Sequence, residues 1–271
     1  MNWQDLTAPE FARAVRKARG VCVVPVGVVE KHGDHLPLGT DYLYASAVAA
    51  RAAAIEPAVV FPPYYFGQIQ EARHLPGTVA LPVRLITELL GEVCAEIARN
   101  GLKKIVLLNG HGGNRYLVPF VKSALEAERD YAVYLLDLDA YYLTKDDPGW
   151  RSLRETEVDG HAGERETSCL LATHPELVRM KAVSKRPGNP RGRLKHLGPV
   201  NTGINWYADY PGHYQGDARY ATEEKGSYLL DFHSRNVARL LRAVKRDRTV
   251  PALLREFYAK SRRPVGRGGK C

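Results

Sequence analysis

Glu30, His32, Asp34, His35 and Asp41 fall within twelve residues, directly after an apolar, β-branched run, in VCVVPVGVVEKHGDHLPLGTD (21–41). Carboxylate oxygens and imidazole nitrogens are the donors that zinc, manganese and iron accept, at about 2.0–2.2 Å. Two later stretches supply more of the same kind: His111 in NGHGGN, and His161, Glu164 and Glu166 in HAGERE. A carboxylate can bridge two such ions, and a two-ion site activates one water between them. Each residue also has an ordinary reading. Glu30 alone fits a solvated loop acid, Asp41 a helix cap, and His161 with Glu166 a surface ion pair, with Glu164 solvated. NGHGGN also fits a glycine loop that cradles phosphate at a helix N-terminus, although the GxGxxG and GxxxxGK[ST] spacings are missing. His111, between Gly110 and Gly112, has no core-packing role there. The joint arrival of these donors at successive strand ends favours the metal reading.

The elements that must position them follow from hydropathy. Val21 to Val29 reads as a buried strand, and open α/β sheets keep their chemistry at the carboxyl edge of such strands. If the chain is still extended at Glu30, that residue and His32 share a face. An alanine-rich helix is expected from Asp41 to about Ile55. A strand follows at 58–63, then a long polar and aromatic rim loop at 64–78. The spacing predicts an amphipathic helix over 83–100 with Gly101 as its left-handed cap, and a strand over 103–110. A helix through about Glu128 and a strand over 131–139 come next. Residues 1–20 read as a short helix with Thr7 as N-cap and Pro9 in its first turn. The second half of HAGERETSCLLATHPELV, then 221–245 and 251–260, read as helices, and 181–220 as a long irregular excursion. Such β-loop-α alternation predicts an α/β fold with three α/β/α layers around a mostly parallel sheet. One domain over 1–260 and a basic, disordered tail over 261–271 are expected.

Bulk properties narrow the function classes. The 271 residues are 45% hydrophobic and 25% charged, an ordinary globular composition. No run reaches the roughly 20 apolar residues of a membrane span, and the N-terminus lacks a secretory layout, which predicts a cytoplasmic protein. The four cysteines, Cys22, Cys94, Cys169 and Cys271, show no CxxC spacing, so any metal here is expected on N and O donors. The net charge of +9 sits largely in 181–195 and 261–270. Neither stretch interleaves aromatics as a single-strand binder does, so both read as solvated rather than as a nucleic-acid surface.

PVGVVEKHGDHLPLGTD, NGHGGN and GHAGERETS together closely resemble the creatininase family of metal-dependent amidohydrolases, with weaker similarity in HLPGTVAL (74–81) and GDARYATEEKG (216–226). The likeness runs from about Val21 to Phe232. That family includes creatinine amidohydrolases, a formamide hydrolase of archaeal flavin biosynthesis and a peptide-cleaving maturase of a redox cofactor. The resemblance implies Glu30, His32, Asp41 and His111 as metal ligands, with Asp41 bridging two divalent ions (Zn, Mn or Fe). It implies His161 in proton transfer, Glu166 completing the second site, and a homo-oligomer, a homohexamer in the family. Two departures stand out. Creatinine-cleaving members carry a glutamate where this chain has Gly113 and an aromatic where it has Gly112. Trp150 and Trp206 are the candidates for an aromatic enclosure, and neither lies in matching sequence.

With that resemblance, these residues imply hydrolysis of a non-peptide C–N bond, a cyclic amide such as creatinine or a formamide, by a metal-bridged hydroxide. Asn109 or Asn114 is expected to orient His111, and Glu71, Arg73 and His74 to contact a small-molecule substrate. His35 is expected near the ions without binding them; His174, His196, His213 and His233 are expected to have no part in the site. The alternatives are a peptide-processing maturase, a nucleotide- or phosphate-binding module, and a non-catalytic metal-stabilised scaffold.

Overall fold

A computed structural model describes residues 1–138 and 147–264. Four parallel strands form one sheet in the order β2-β1-β3-β4: β1 (Val21–Val26), β2 (Val59–Val60), β3 (Lys104–Asn109) and β4 (Ala132–Asp137). The register pairs Val26 with Asn109 and Asn109 with Asp137, so the carboxyl ends of three strands finish level. Asp139, the expected end of β4, and residues 265–271 of the expected tail lie outside the described residues.

Alternation along the strands sorts side chains to two faces. Cys22, Val24, Val26, Ile105 and Leu107 pack with α1 (Ala8–Lys17), α3 (Val83–Arg99) and α4 (Leu117–Lys122). Val21, Val23, Val106 and Leu108 face the other way, against α2 (Thr40–Ile55) and α8 (Glu223–Arg246). Ala45, Ala49 and Ala52 let α2 lie close on the sheet there. The three α/β/α layers predicted from the sequence are thus present.

Three short helices complete the set used below: α5 (Pro148–Leu153), α6 (Glu164–Thr173) and α7 (Asn205–Asp209); α9 (Thr249–Ser261) follows α8. Leu36, Trp150, Cys169, Leu170 and Leu229 make a third apolar cluster that joins α5 and α6 to α8. At the start of α1, the Glu10 carboxylate accepts from the Thr7 backbone N–H and hydroxyl, the reciprocal end expected of a capping residue. Gly101 has φ +89° after α3, as its cap reading requires.

Some boundaries differ from expectation. The helix expected through Glu128 ends at Lys122 with a 3-10 turn to Leu125, where the Ser123 hydroxyl takes the Phe120 carbonyl and competes with the helical ladder. Cys22, Cys94 and Cys169 are buried free thiols, and burial pushes Cys94 and Cys169 up to about 12. They are inert core residues, as their surroundings predicted. Among the described residues, no helix is long and apolar enough to cross a membrane.

Candidate metal centre

β1 ends at Val26, and the chain turns through Gly27, where a Cβ would stand 2.4 Å from the Tyr42 backbone nitrogen. Only glycine allows the first turn of α2 to lie this close. The contact brings Asp41, second residue of α2, beside the loop after β1. Asp41 does not cap its helix. Its Oδ1 lies 3.0 Å from His32 Nε2 and its Oδ2 3.0 Å from His111 Nδ1. Glu30 Oε1 lies 3.0 Å from the same His111 nitrogen and 3.8 Å from His32 Nε2. Glu30, His32, Asp41 and His111 are all buried.

Each ring is held by a main-chain carbonyl. His32 Nδ1 is 3.2 Å from the Glu30 carbonyl, His111 Nε2 3.1 Å from that of Gln68, and His161 Nε2 2.8 Å from that of Lys31. With protons on those nitrogens, the neutral rings turn a bare His32 Nε2, His111 Nδ1 and His161 Nδ1 toward the carboxylates, the tautomer pattern that oriented metal ligands need. Asn109 holds the His111 backbone, accepting from its N–H and donating to its carbonyl. Asn114 donates to Asn109 and accepts from the Gln68 N–H. The two asparagines therefore fix the main chain of His111 and the carbonyl that its ring faces, rather than bonding the ring itself.

HAGERE brings the third set. α6 starts at Glu164, so Glu164 and Glu166 diverge by about 200° around the axis. Glu166 Oε2 accepts from the Ala162 N–H at 2.6 Å and lies 3.9 Å from His32 Nε2. Ala162 takes φ +54°, an uncommon backbone for alanine that aims its N–H at this carboxylate. Glu164 corrects the sequence reading: it is fully buried, not solvated. It accepts from the N–H groups of Glu155 and Thr156, the Thr156 hydroxyl and Lys225 Nζ, a structural clamp between α6 and α8.

His161 stacks on His32, with ring centroids 4.2 Å apart, and its Nδ1 lies 3.9 Å from Glu30 Oε1. His213, expected to have no part in the site, is the second correction. It is buried, with Nε2 2.5 Å from Glu30 Oε2 and Nδ1 accepting from the Trp206 indole at 2.9 Å. Trp206 thus stands at the site, while Trp150 packs in the third apolar cluster. The excursion carrying Trp206 is held by side chain to main chain bonds. Arg193 grips the carbonyls of Tyr207 and Ala208, Gly192 donates to Asp209, and His74 meets the Pro211 carbonyl at 2.9 Å. Part of the basic loop is therefore a clasp. His74, expected against substrate, joins the rim loop to this excursion instead. Glu71 remains near the donors: a Cβ on Gly113 would lie 3.2 Å from Glu71 Oε1 and 2.4 Å from His111 Nε2. His35 hydrogen-bonds Thr167, and His233 the Tyr44 hydroxyl.

Among the described residues, three sets of three donor atoms each lie within 4.8 Å of one another: Glu30, Asp41 and His111; His32, His161 and Glu166; and Glu30, His161 and His213. Burial opposes charge here, yet the partners win. Burial raises the Glu30 carboxyl, but His111 and His161 hold it well below the usual range. Burial likewise opposes charge on His32, which Asp41 then pushes up to about 10. His111 is raised in the same way by Glu30 and Asp41, against its burial. The residues fit divalent cations on a direct observation: Glu30 Oε1 and Asp41 Oδ2 are buried with no hydrogen-bond partner. Such orphaned oxygens are costly unless something positive meets them.

The fold and the donors at its carboxyl edge are those of a hydrolase family, and the chain belongs to it: the creatininase family model, described as creatinine amidohydrolase, matches residues 4–241. The chain is 29% identical over 258 residues to the creatinine amidohydrolase of Pseudomonas putida, covering 88% of this chain and 95% of that protein. It is 39% identical over 162 residues to a mycofactocin precursor peptide peptidase of Mycolicibacterium smegmatis, covering 58% of this chain and 59% of that one. A solved structure described as creatininase Mn superposes with TM-score 0.77 at 27% identity, covering 91% of this chain and 99% of the other. A mutant creatininase of Zn–Zn type does so with TM-score 0.77 at 26% identity, covering 91% and 98%.

Proposed function

We propose that this hydrolase is a metal-dependent amidohydrolase that cleaves a non-peptide C–N bond, in a cyclic amide or a formamide. Glu30, Asp41 and His111 would hold one divalent ion and His32, Asp41 and Glu166 a second, with Asp41 common to both. Bound there, the ions would supply a water of lowered pKa and polarise the substrate carbonyl. The observation that carries this reading is the pair of buried, unpartnered oxygens on Glu30 and Asp41, both turned to His111.

The chain's own residues supply the rest. His161 keeps its Nε2 proton on the Lys31 carbonyl and leaves Nδ1 open beside Glu30. Burial holds its pKa below the ordinary value, so the ring is neutral near pH 7. It can take a proton from the attacking water at Nδ1 and return it to the leaving nitrogen. Glu71, across from Gly113, would meet a polar group of the substrate.

A peptide substrate is the second reading. It is favoured by the mycofactocin-peptidase likeness. One screen decides. Creatinine, formamides, small lactams and short peptides are assayed with zinc, manganese and iron in turn. Turnover that a chelator abolishes and metal restores is the expected result. Full turnover by chelator-stripped protein would sink the proposal, and turnover of peptides alone would move it to the second reading.

A further inference from the structure

We propose that Trp206 and His213 are positioning residues for the metal centre. The indole N–H fixes the proton of His213 on Nε2, and that N–H holds Glu30 Oε2, turning Oε1 toward the cation. The inference rests on the metal reading above and assigns a task to two residues outside every motif that suggested it.

An indole nitrogen only donates. Trp206 Nε1 lies 2.9 Å from His213 Nδ1, so that ring nitrogen must accept. A neutral imidazole then carries its proton at Nε2, which faces Glu30 Oε2 at 2.5 Å. The tautomer bears on the three donor sets. In Glu30, His161 and His213, the His213 nitrogen bears a hydrogen and has no lone pair for an ion. It is a clamp on a ligand, not a ligand. Of the two Glu30 oxygens, Oε2 is taken by the clamp, and Oε1 is the one without a partner.

The chain invests in this placement. His213 adopts φ +54°, with its N–H on the Tyr210 carbonyl and its carbonyl accepting from Gly33. Trp206 packs on Tyr210, with centroids 4.8 Å apart, and stands edge-on to His161 at 5.8 Å. The Arg193 clasp on the carbonyls of Tyr207 and Ala208 fixes the helix that carries the indole.

The test uses the full chain loaded with zinc. Trp206→Phe keeps a ring and deletes the donor. His213→Gln keeps an N–H for Glu30, whereas His213→Leu does not. Nitrogen-15 NMR of labelled histidine should show His213 protonated at Nε2 in the wild type and a mixture of tautomers in Trp206→Phe. Zinc dissociation constants, read by competition with a chromophoric chelator, should rise about 10–100-fold in Trp206→Phe and His213→Leu. His213→Gln should recover most of that loss, which separates positioning from a folding defect. Wild-type protein that binds zinc while both variants bind equally well would overturn this inference alone. Wild-type protein that takes up no metal would overturn the metal reading and this inference with it.

Discussion

The Glu30 carboxylate faces the His111 imidazole across 3.0 Å, Oε1 to Nδ1, with both groups withdrawn from solvent. Burial disfavours charge on each, yet His111 and His161 hold the carboxylate charged, and Glu30 and Asp41 hold the His111 ring charged. The charged ring thus competes with an ion for the same carboxylate oxygens. His32, pushed up to about 10 by Asp41 against its burial, is in the same situation.

Metal uptake must therefore expel protons. Zinc or manganese affinity should fall as pH falls, and titration calorimetry in buffers of different ionisation enthalpy should show at least one proton released per site. Binding enthalpy independent of buffer would contradict this.

The donor sets make separate demands on three side chains. Asp41→Ala should remove both ions and abolish hydrolysis, because Asp41 touches His32 and His111 with different oxygens. Glu166→Gln should leave one ion. His161→Ala should keep both ions while lowering kcat by about 10²–10⁴. Metal analysis of the purified variants reads the first two outcomes, and steady-state kinetics the third. If His161→Ala lost metal, that residue would be a ligand.

Gly226 gives a test of sign. Replacing a glycine inside a helix with alanine ordinarily gains about 1 kcal/mol. Here the new Cβ would lie 1.8 Å from the Ser168 carbonyl oxygen, main chain of α6 that cannot swing aside. Gly226→Ala should instead cost at least about 2 kcal/mol net. That lowers Tm by about 4–8 °C for a chain of this size. A thermal melt that moved upward would show that α6 and α8 are not packed as described.

His233, which hydrogen-bonds the Tyr44 hydroxyl, supplies a further pH dependence. Burial, then the charge of Arg165, brings its pKa down to about 3. In the unfolded chain it titrates near about 6.5. The unfolded state therefore binds more protons between those values, and stability is complete above about pH 6.5 and lost as pH falls toward 3. The contribution is on the order of a few kcal/mol. Urea midpoints for His233→Gln should depend less steeply on pH between 7 and 4 than those of the parent. Equal slopes would remove His233 from the account.

The strands, the helices over the sheet and the three donor clusters were legible in the sequence because each rests on local pattern. Val21 to Val26 and Lys104 to Asn109 alternate between two faces, and their ends carry the polar residues. Glu164 was misread because two acids two places apart diverge once a helix starts at the first of them, and sequence alone does not pin that start. His213 and the bond that Trp206 makes to it escape the sequence for another reason. The stretch that bears them has no periodicity to read, and single contacts hold it: Arg193 on two carbonyls, His74 on Pro211. Such contacts join residues far apart along the chain and leave no local signature.

The level finish of β1 and β3 has a consequence for how this protein can change. Removing one residue from β3 would draw the His111 loop back by about 3.3 Å, while the coordination bond proposed for His111 would tolerate roughly 0.2 Å. Strand length is therefore locked to the chemistry. Drift in this lineage must be absorbed on the outer sides of the helices and in the segments beyond the strand tips, where a new partner for the reaction can be accommodated without moving the atoms that perform it.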